Sequence, residues 1–117
     1  MQFVKVALVA ELAERSFVVV SLLGKRVGVF KEPDGSFRAI EVTCKHQGAD
    51  LTKGEINGDE VTCPRHGWRY DLRSGDCLSH NAPSLRHHAV EIRGDEIHVA
   101  LTPEPPSKPD IDWDALL

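Results

Sequence analysis

The chain lacks the long apolar run that a membrane-spanning helix requires. Of its 117 residues 41% are hydrophobic, but no stretch approaches the roughly 18–20 continuous apolar residues that cross a bilayer. The first residues, MQFVKVALVAELAERS, also lack a basic region leading into an apolar run and a small-residue cleavage site. We therefore expect a cytoplasmic protein with one compact domain, because a chain of this length can bury a sufficient core.

An excess of positive charge is also missing. Acidic residues number 18 against 14 basic ones, and the net charge is −4. This balance argues against a nucleic-acid-binding surface and is compatible with a partner that presents positive charge. The sequence offers no paired nucleophile and base and no nucleotide-binding loop. We expect neither nucleic acid nor membrane among its partners, and no substrate turnover by the chain alone.

Cysteine is scarce, and its number is odd. Cys44, Cys63 and Cys77 are the three cysteines of the chain. Without an export signal, such a set favours reduced thiols that are available to a metal over a disulfide framework. We interpret Cys77 as a small buried hydrophobic residue. The histidines at 80, 87, 88 and 98 are interpreted as surface or strand-face residues.

Short valine-rich segments separated by turn signals predict an all-β fold. FVKVAL at 3–8, FVVVSL at 17–22, RVGVFK at 26–31 and FRAIEV at 37–42 predict an antiparallel meander, with a turn at EPDGS. AELAERS at 10–16 is long enough for one helical turn. HAVEIRGDEIHVAL, from residue 88 onward, predicts a hairpin that turns at Gly94-Asp95.

The segment between these strands has a different composition. Residues 43–86 are rich in Gly, Pro and His and contain only short strand candidates at 59–63 and 68–72. We therefore predict a β-framework over 1–102 that carries a loop-built insert at about 43–86. The stretch from 103 to 117 contains four of the seven prolines and is predicted to leave the core as an acidic, proline-rich tail.

Two stretches each combine one cysteine with one histidine. CKHQGADL at 44–51 contains C-x-H, and CPRHGWRYDL at 63–72 contains C-x-x-H. Thiolate and imidazole bind borderline and soft transition metals, and four such groups from two loops make a closed site. The candidate metal ligands are therefore Cys44, His46, Cys63 and His66.

The division of these ligands between the loops bears on the kind of metal site. A zinc finger typically takes both cysteines from one loop and both histidines from a helix, whereas here each loop supplies one of each. A two-iron cluster with two cysteines on one iron and two histidines on the other fits this division directly. Gly48, Gly54 and Gly67 would let the loops turn tightly around it. A mononuclear zinc site is the alternative that the residues leave open.

At these positions the sequence resembles a Rieske-type 2Fe-2S ferredoxin, which is related to the Rieske domains of ring-hydroxylating oxygenases. CKH at 44–46, CPRHGWRYD at 63–71 and the surrounding strands carry the resemblance, which spans about 3–102. It implies an antiparallel β sandwich or barrel with a cluster-binding subdomain. It also implies one 2Fe-2S cluster per chain, with the cysteines at 44 and 63 on one iron and the histidines at 46 and 66 on the other.

The same resemblance suggests what surrounds the cluster. HNAPSL at 80–85 resembles the proline-containing loop that covers the cluster in such proteins, which makes Asn81, Ala82 and Pro83 candidates for shielding. Docking of a partner would centre on the histidine-bound iron. Its expected rim comprises Gln47, Gly48, Gly67, Trp68 and Pro83.

Departures from the respiratory members of the family concern the reduction potential. Ala49 and Arg65 stand where those proteins have two further, disulfide-bonded cysteines, and Trp68 replaces a serine that donates to a sulfide. Fewer donors to the cluster predict a potential near the low end of the Rieske range, roughly −150 mV. Tyr70 matches the respiratory pattern, and its hydroxyl would raise the potential if it reaches a cysteine sulfur.

By this resemblance the function is one-electron transfer. The implied partners are a flavin- or NADH-dependent reductase as donor and a terminal oxygenase as acceptor. Two alternatives are a Rieske-fold small subunit of a larger oxidoreductase, of the nitrite reductase small-subunit type, and a structural zinc-binding interaction domain. Colour separates the last from the others, because a zinc domain is colourless.

Overall fold

The computed structural model describes residues 2–44, 49–65 and 67–104, and the regular secondary structure within them is almost entirely β. One helical turn, α1, spans Glu11–Glu14, and a 3-10 turn spans Leu51–Lys53. The strands are β1 (Phe3–Leu8), β2 (Phe17–Leu22), β3 (Lys25–Lys31), β4 (Phe37–Glu41), β5 (Glu55–Asn57), β6 (Glu60–Thr62), β7 (Arg69–Asp71), β8 (His87–His88), β9 (Val90–Arg93) and β10 (Glu96–Ala100).

These strands form three antiparallel sheets. Their orders are β1-β10-β9, β2-β3-β4-β8 and β5-β6-β7. The predicted all-β antiparallel class is confirmed, as are the helical turn and the C-terminal hairpin β9–β10. No helix in the part of the chain that is described is long and apolar enough to span a membrane.

The predicted meander is correct for β2, β3 and β4 but wrong for β1. Strand β1 pairs with β10, from Phe3 opposite Ala100 to Leu8 opposite Glu96. The alternation of apolar and polar residues determines which face of a strand is buried but not which strand lies beside it. Strand β1 therefore belongs to a different sheet from β2, β3 and β4.

The turn between β3 and β4 follows its sequence signal. Ser36 donates its backbone N–H and its hydroxyl to Asp34 Oδ1, at 2.9 and 2.6 Å. These two bonds, the hydroxyl bond first, hold the pKa of the Asp34 carboxyl below its ordinary value. Such local side-chain bonds stabilise a turn without any tertiary contact.

Strand β4 separates two hydrophobic cores. Ala39 belongs to a framework core together with Val27, Val29, Ile97 and Val99. The next residue along the strand, Ile40, points to the opposite face, as the two-residue period of a strand requires. It joins a second core, which we call the site core and which comprises Ile40, Val42, Cys44, Leu51, Val61, Cys63, Tyr70, Leu72 and Leu85.

The insert between the framework strands has its own small sheet. The two strand candidates at 59–63 and 68–72 correspond to β6 and β7, and β5 is a strand that the sequence did not predict. Tyr70 also forms an isolated bridge with Cys77. The insert is therefore less dependent on loops than predicted.

The proposed boundary between domain and tail, at residues 102 and 103, stays a prediction. The Glu104 N–H donates to His87 O at 2.7 Å, and Arg86 Nη2 donates to Glu104 O at 3.0 Å. The described chain thus still contacts the framework at its last residue. Residues 105–117 lie outside the described residues.

Candidate functional site

Cys44 and Cys63 lie in the same buried core. Their exposed fractions are 1% and 3%, both thiols are free, and both belong to the site core. His46 and His66 lie outside the described residues, so the predicted convergence of all four ligands stays a prediction. The two loops thus bring the two predicted thiol ligands into one water-excluded region.

The first loop leaves β4 and is closed at its base. Cys44 donates its N–H to Ala49 O at 2.8 Å, and Leu51 donates to Val42 O at 2.8 Å. Thr43 and Asp50 form an isolated antiparallel bridge. The residues on either side of the segment 45–48 are therefore paired with each other by antiparallel backbone hydrogen bonds.

The second loop repeats this closure. Cys63 donates its N–H to Trp68 O at 2.7 Å, so in both loops the cysteine amide bonds to the fifth residue downstream, 44 to 49 and 63 to 68. Gly67 donates to Cys63 O at 3.1 Å from a φ of 74°, a left-handed conformation that favours glycine. Each loop encloses one predicted histidine ligand in sequence.

The Asp50 carboxylate connects the end of the first loop to its neighbours. Its Oδ1 accepts from the Thr52 N–H and hydroxyl, at 2.9 and 2.6 Å. Its Oδ2 pairs with Arg26 Nη1 at 3.3 Å. Arg26 O in turn accepts the Val42 N–H at 3.0 Å. The start of β3 and both ends of the loop are thereby tied together.

Tyr70 brings a polar group to the first cysteine. Its side chain is fully buried on β7, and its hydroxyl lies 3.8 Å from Cys44 Sγ. With a thiolate at position 44, the hydroxyl is the donor, because a thiolate has no proton to give. This contact fulfils the condition under which Tyr70 was predicted to raise the reduction potential.

Trp68 lies between the site core and His80. Its indole packs against the site core while its ring stacks on the His80 imidazole, with centroids 4.0 Å apart and planes at 12°. Trp68 thus contacts both the site core and an exposed side chain. His80 is exposed, as predicted, but its stacking was missed, because no local pattern in the sequence links positions 68 and 80.

The shielding candidates, the other histidines and Cys77 differ in burial. Asn81 and Pro83 are exposed and Ala82 is half-buried, so their shielding role stays a prediction. His87, His88 and His98 lie on strands, but His88 is buried and its Nδ1 is 2.8 Å from Ala100 O. Cys77 is half-buried rather than buried, and it packs against the site core.

An open groove of about 500 Å3 lies away from the cysteines. Its walls include Phe17, Phe30, Ile56 and Leu72, and neither cysteine of the site core lines it. The thiols therefore belong to a packed core rather than to this groove. Electron transfer needs no substrate entry, so a buried position of the thiols is compatible with it.

The described residues fit a thiolate-bound iron centre. Two free thiols in one dry core match the ligand type that iron–sulfur clusters require. Among 2–44, 49–65 and 67–104 no group of three or more His, Cys, Asp or Glu side chains is placed to hold a metal. A complete site would therefore need ligands from residues outside these ranges, and His46 and His66 are the predicted ones.

The chain matches one family model and several known proteins. The model, described as "Rieske [2Fe-2S] domain", matches residues 2–98. Among curated relatives, the oxygenase component of 3-ketosteroid-9-alpha-monooxygenase from Mycolicibacterium smegmatis is 41% identical over 51 residues, which are 44% of this chain and 13% of that protein. The chain spans only a small part of the curated relatives it matches.

Three solved structures are similar over most of their length. The ferredoxin of carbazole 1,9a-dioxygenase from Nocardioides aromaticivorans is 31% identical, covers 86% of this chain and 98% of its own, and gives a TM-score of 0.67. A chain from a complex of reduced oxygenase and oxidized ferredoxin of carbazole 1,9a-dioxygenase is 28% identical, with coverages of 88% and 96% and a TM-score of 0.73. A putative nitrite reductase small subunit is 25% identical, with coverages of 86% and 99% and a TM-score of 0.62.

Proposed function

Because the chain belongs to the Rieske [2Fe-2S] domain family, we propose that it is a one-electron carrier with a single 2Fe-2S cluster. Cys44 and Cys63 bind one iron, and His46 and His66 bind the other. The observation that carries this proposal is the pair of buried thiols in one core. Each cysteine begins a loop, and in each loop the cysteine N–H donates to the carbonyl oxygen five residues later.

The protein's own residues give the centre its environment. When bound, a 2Fe-2S cluster accepts and releases one electron. The site core keeps water from the two cysteines, and both must be deprotonated to bind iron. The Tyr70 hydroxyl then donates to Cys44 Sγ, which stabilises negative charge on that sulfur.

An oxygenase is the proposed electron acceptor, and a flavin- or NADH-dependent reductase is the proposed donor. Support comes from the similar chain in a complex of oxygenase and ferredoxin. The match covers 88% of the present chain and 96% of that one. The chain itself would turn over no substrate and would act as the electron-transfer component of an oxidoreductase system.

The proposal is tested by purifying the protein without oxygen and analysing its metal content. We expect two irons and two inorganic sulfides per chain, red-brown colour and, after reduction, an EPR signal of low average g. A colourless protein with one zinc would instead identify the zinc-binding alternative and overturn the proposal.

The acceptor is tested separately, with the cluster-loaded protein as bait in an extract of its own cells. Capture of an oxygenase that reoxidises the reduced protein is the expected result. The similarity to a putative nitrite reductase small subunit makes one other outcome informative. Stable co-purification with a nitrite reductase large subunit would replace the oxygenase as the partner but keep the cluster.

Removal of the Tyr70 hydroxyl should lower the reduction potential. A hydrogen bond of this kind contributes about 0.5–1.5 kcal/mol, and only the part that is stronger in the reduced state changes the potential. The potential of the Tyr70→Phe variant should therefore fall by up to roughly 20–65 mV for a one-electron couple. Protein-film voltammetry measures the change. Ser84→Ala is the control, because the Ser84 hydroxyl bonds to Asp76 Oδ1; an equal potential in all three proteins would show that the Tyr70 hydroxyl does not act on the cluster.

A further inference from the structure

We propose that Ser79 and His80 are positioning residues that hold the Trp68 indole over the site core and so limit the access of water and chelators to the centre. This inference rests on the proposed function, because it concerns the same site. Ser79, His80 and Trp68 together are called the indole cover. Two of the three residues of the indole cover are exposed. The cover nevertheless limits how much solvent reaches the centre.

Backbone pairing brings the two segments of the cover together. Leu78 donates its N–H to Arg69 O at 2.7 Å, and Cys77 forms a bridge with Tyr70. The chain after Cys77 therefore runs antiparallel to β7, and its next residues arrive beside Trp68, which immediately precedes that strand. The register of this pairing places residue 79 opposite residue 68, and the next residue, His80, stacks on Trp68.

The rings of the cover form successive layers on the site core. The Trp68 indole packs against the core that contains Cys44 and Cys63. Its stacking on the His80 imidazole, at 4.0 Å and 12°, is the spacing of a direct ring-on-ring contact. The order from inside to outside is site core, indole and imidazole. Loss of the outer ring would leave the indole less restrained.

One hydroxyl connects this stack to the sheet. Ser79 Oγ accepts the Arg69 N–H at 3.0 Å and lies 2.7 Å from His80 Nδ1. A serine hydroxyl accepts and donates at the same time, so it links the strand that follows Trp68 to the ring that covers it. The imidazole is thereby held by a hydrogen bond at its edge and by stacking on its face.

Weakening the cover should expose the centre. The shell around a metal site controls solvent access and, through it, the reduction potential. Water stabilises the more negatively charged reduced state, so the potential of the His80→Ala variant should rise. Its cluster should bleach in a chelator roughly twofold to tenfold faster, which is the change that loss of one aromatic contact produces.

Three variants separate stacking from the hydrogen bond. His80→Ala removes both, and His80→Phe keeps an aromatic ring on the indole but loses the bond to Ser79 Oγ. Ser79→Ala removes that bond together with the acceptor of the Arg69 N–H. We expect bleaching to be fastest in His80→Ala, close to wild type in His80→Phe and intermediate in Ser79→Ala. Leu78→Ala is the matched control, because its exposed side chain is adjacent and its backbone bond to Arg69 is unchanged.

A second readout does not depend on the cluster. The chain contains two tryptophans, so a Trp113→Phe background leaves Trp68 as the only indole. Quenching of its fluorescence by acrylamide should increase in His80→Ala and Ser79→Ala but not in Leu78→Ala. An unchanged quenching constant in His80→Ala would overturn the inference, as would His80→Phe bleaching as fast as His80→Ala.

The two proposals fail in different ways. If the wild-type protein contains no iron, the electron-carrier proposal fails and so does the role of the cover toward the centre. If the cluster is present and His80→Ala bleaches at the wild-type rate with the same potential, only the indole cover fails.

Discussion

Replacement of Cys63 by alanine should abolish the visible absorption and the EPR signal of the protein. The thiolate at this position is a proposed iron ligand, and no neighbouring cysteine in the site core is free to replace it, because Cys44 is itself a proposed ligand. A cluster that loses one of four protein ligands is not retained. Iron content should fall to about a tenth of the wild-type value or less, because loss of even an outer-shell partner lowers metal affinity roughly 10–100-fold.

Cys77→Ala is the matched control for this prediction. Cys77 is also a free thiol, but it is half-buried and its Sγ lies 4.0 Å from Ser79 Oγ. We expect this variant to keep its colour and iron content. Far-UV circular dichroism of both variants checks that the strands are intact. Equal iron in Cys63→Ala and wild type would show that Cys63 is not a ligand.

A Gly54→Ala substitution should cause the largest loss of stability among the changes considered. A Cβ at this position would clash with Thr62 O, and it would also lie 3.1 Å from Pro64 Cδ. The φ of Gly54 is −90°, so backbone conformation is not the obstacle. Because the clash is with main chain, β5 and β6 would have to separate, at a cost of about 3 kcal/mol or more.

This clash bears directly on the site. Gly54 follows the 3-10 turn that ends the first loop, and Thr62 immediately precedes Cys63 in the second. The close approach of their backbones is therefore one of the contacts that hold the two loops side by side. We expect Gly54→Ala to lose cluster as well as stability.

Urea denaturation measures the effect, with Gly58→Ala as the control. Gly58 has a φ of 65°, and a Cβ there would meet open space. Alanine at 58 should therefore cost only the left-handed conformation, about 1–2 kcal/mol. If the free energy of unfolding of Gly54→Ala is no lower than that of Gly58→Ala, the backbones at Gly54 and Thr62 are not in close contact.

Local signals in the sequence predicted most of the framework. The valine-rich alternation located β2, β3 and β4, and Gly94-Asp95 located the turn between β9 and β10. The C-x-H and C-x-x-H stretches indicated the two loops without any knowledge of the sheets. These features depend on residues close together in the chain, so a single sequence is enough to recognise them.

Other features depend on residues that are distant in the chain. Strand β5, at Glu55–Asn57, has three exposed residues and therefore carries no hydrophobic pattern that would predict it. The stacking of Trp68 on His80 and the contact of the Tyr70 hydroxyl with Cys44 also have no counterpart in local spacing. Each depends on β7 lying beside segments that are distant from it in the sequence.

The sequence by itself determined the fold class, the turns and the identity of the candidate ligands, because residue type and spacing encode backbone preference and ligand chemistry. Only the tertiary structure decided that β1 pairs with β10, that both cysteines share one core, and that Gly54 lies against Thr62. The physical reason is that a strand's pattern specifies its buried face, whereas its partner and register are chosen by packing across the whole domain.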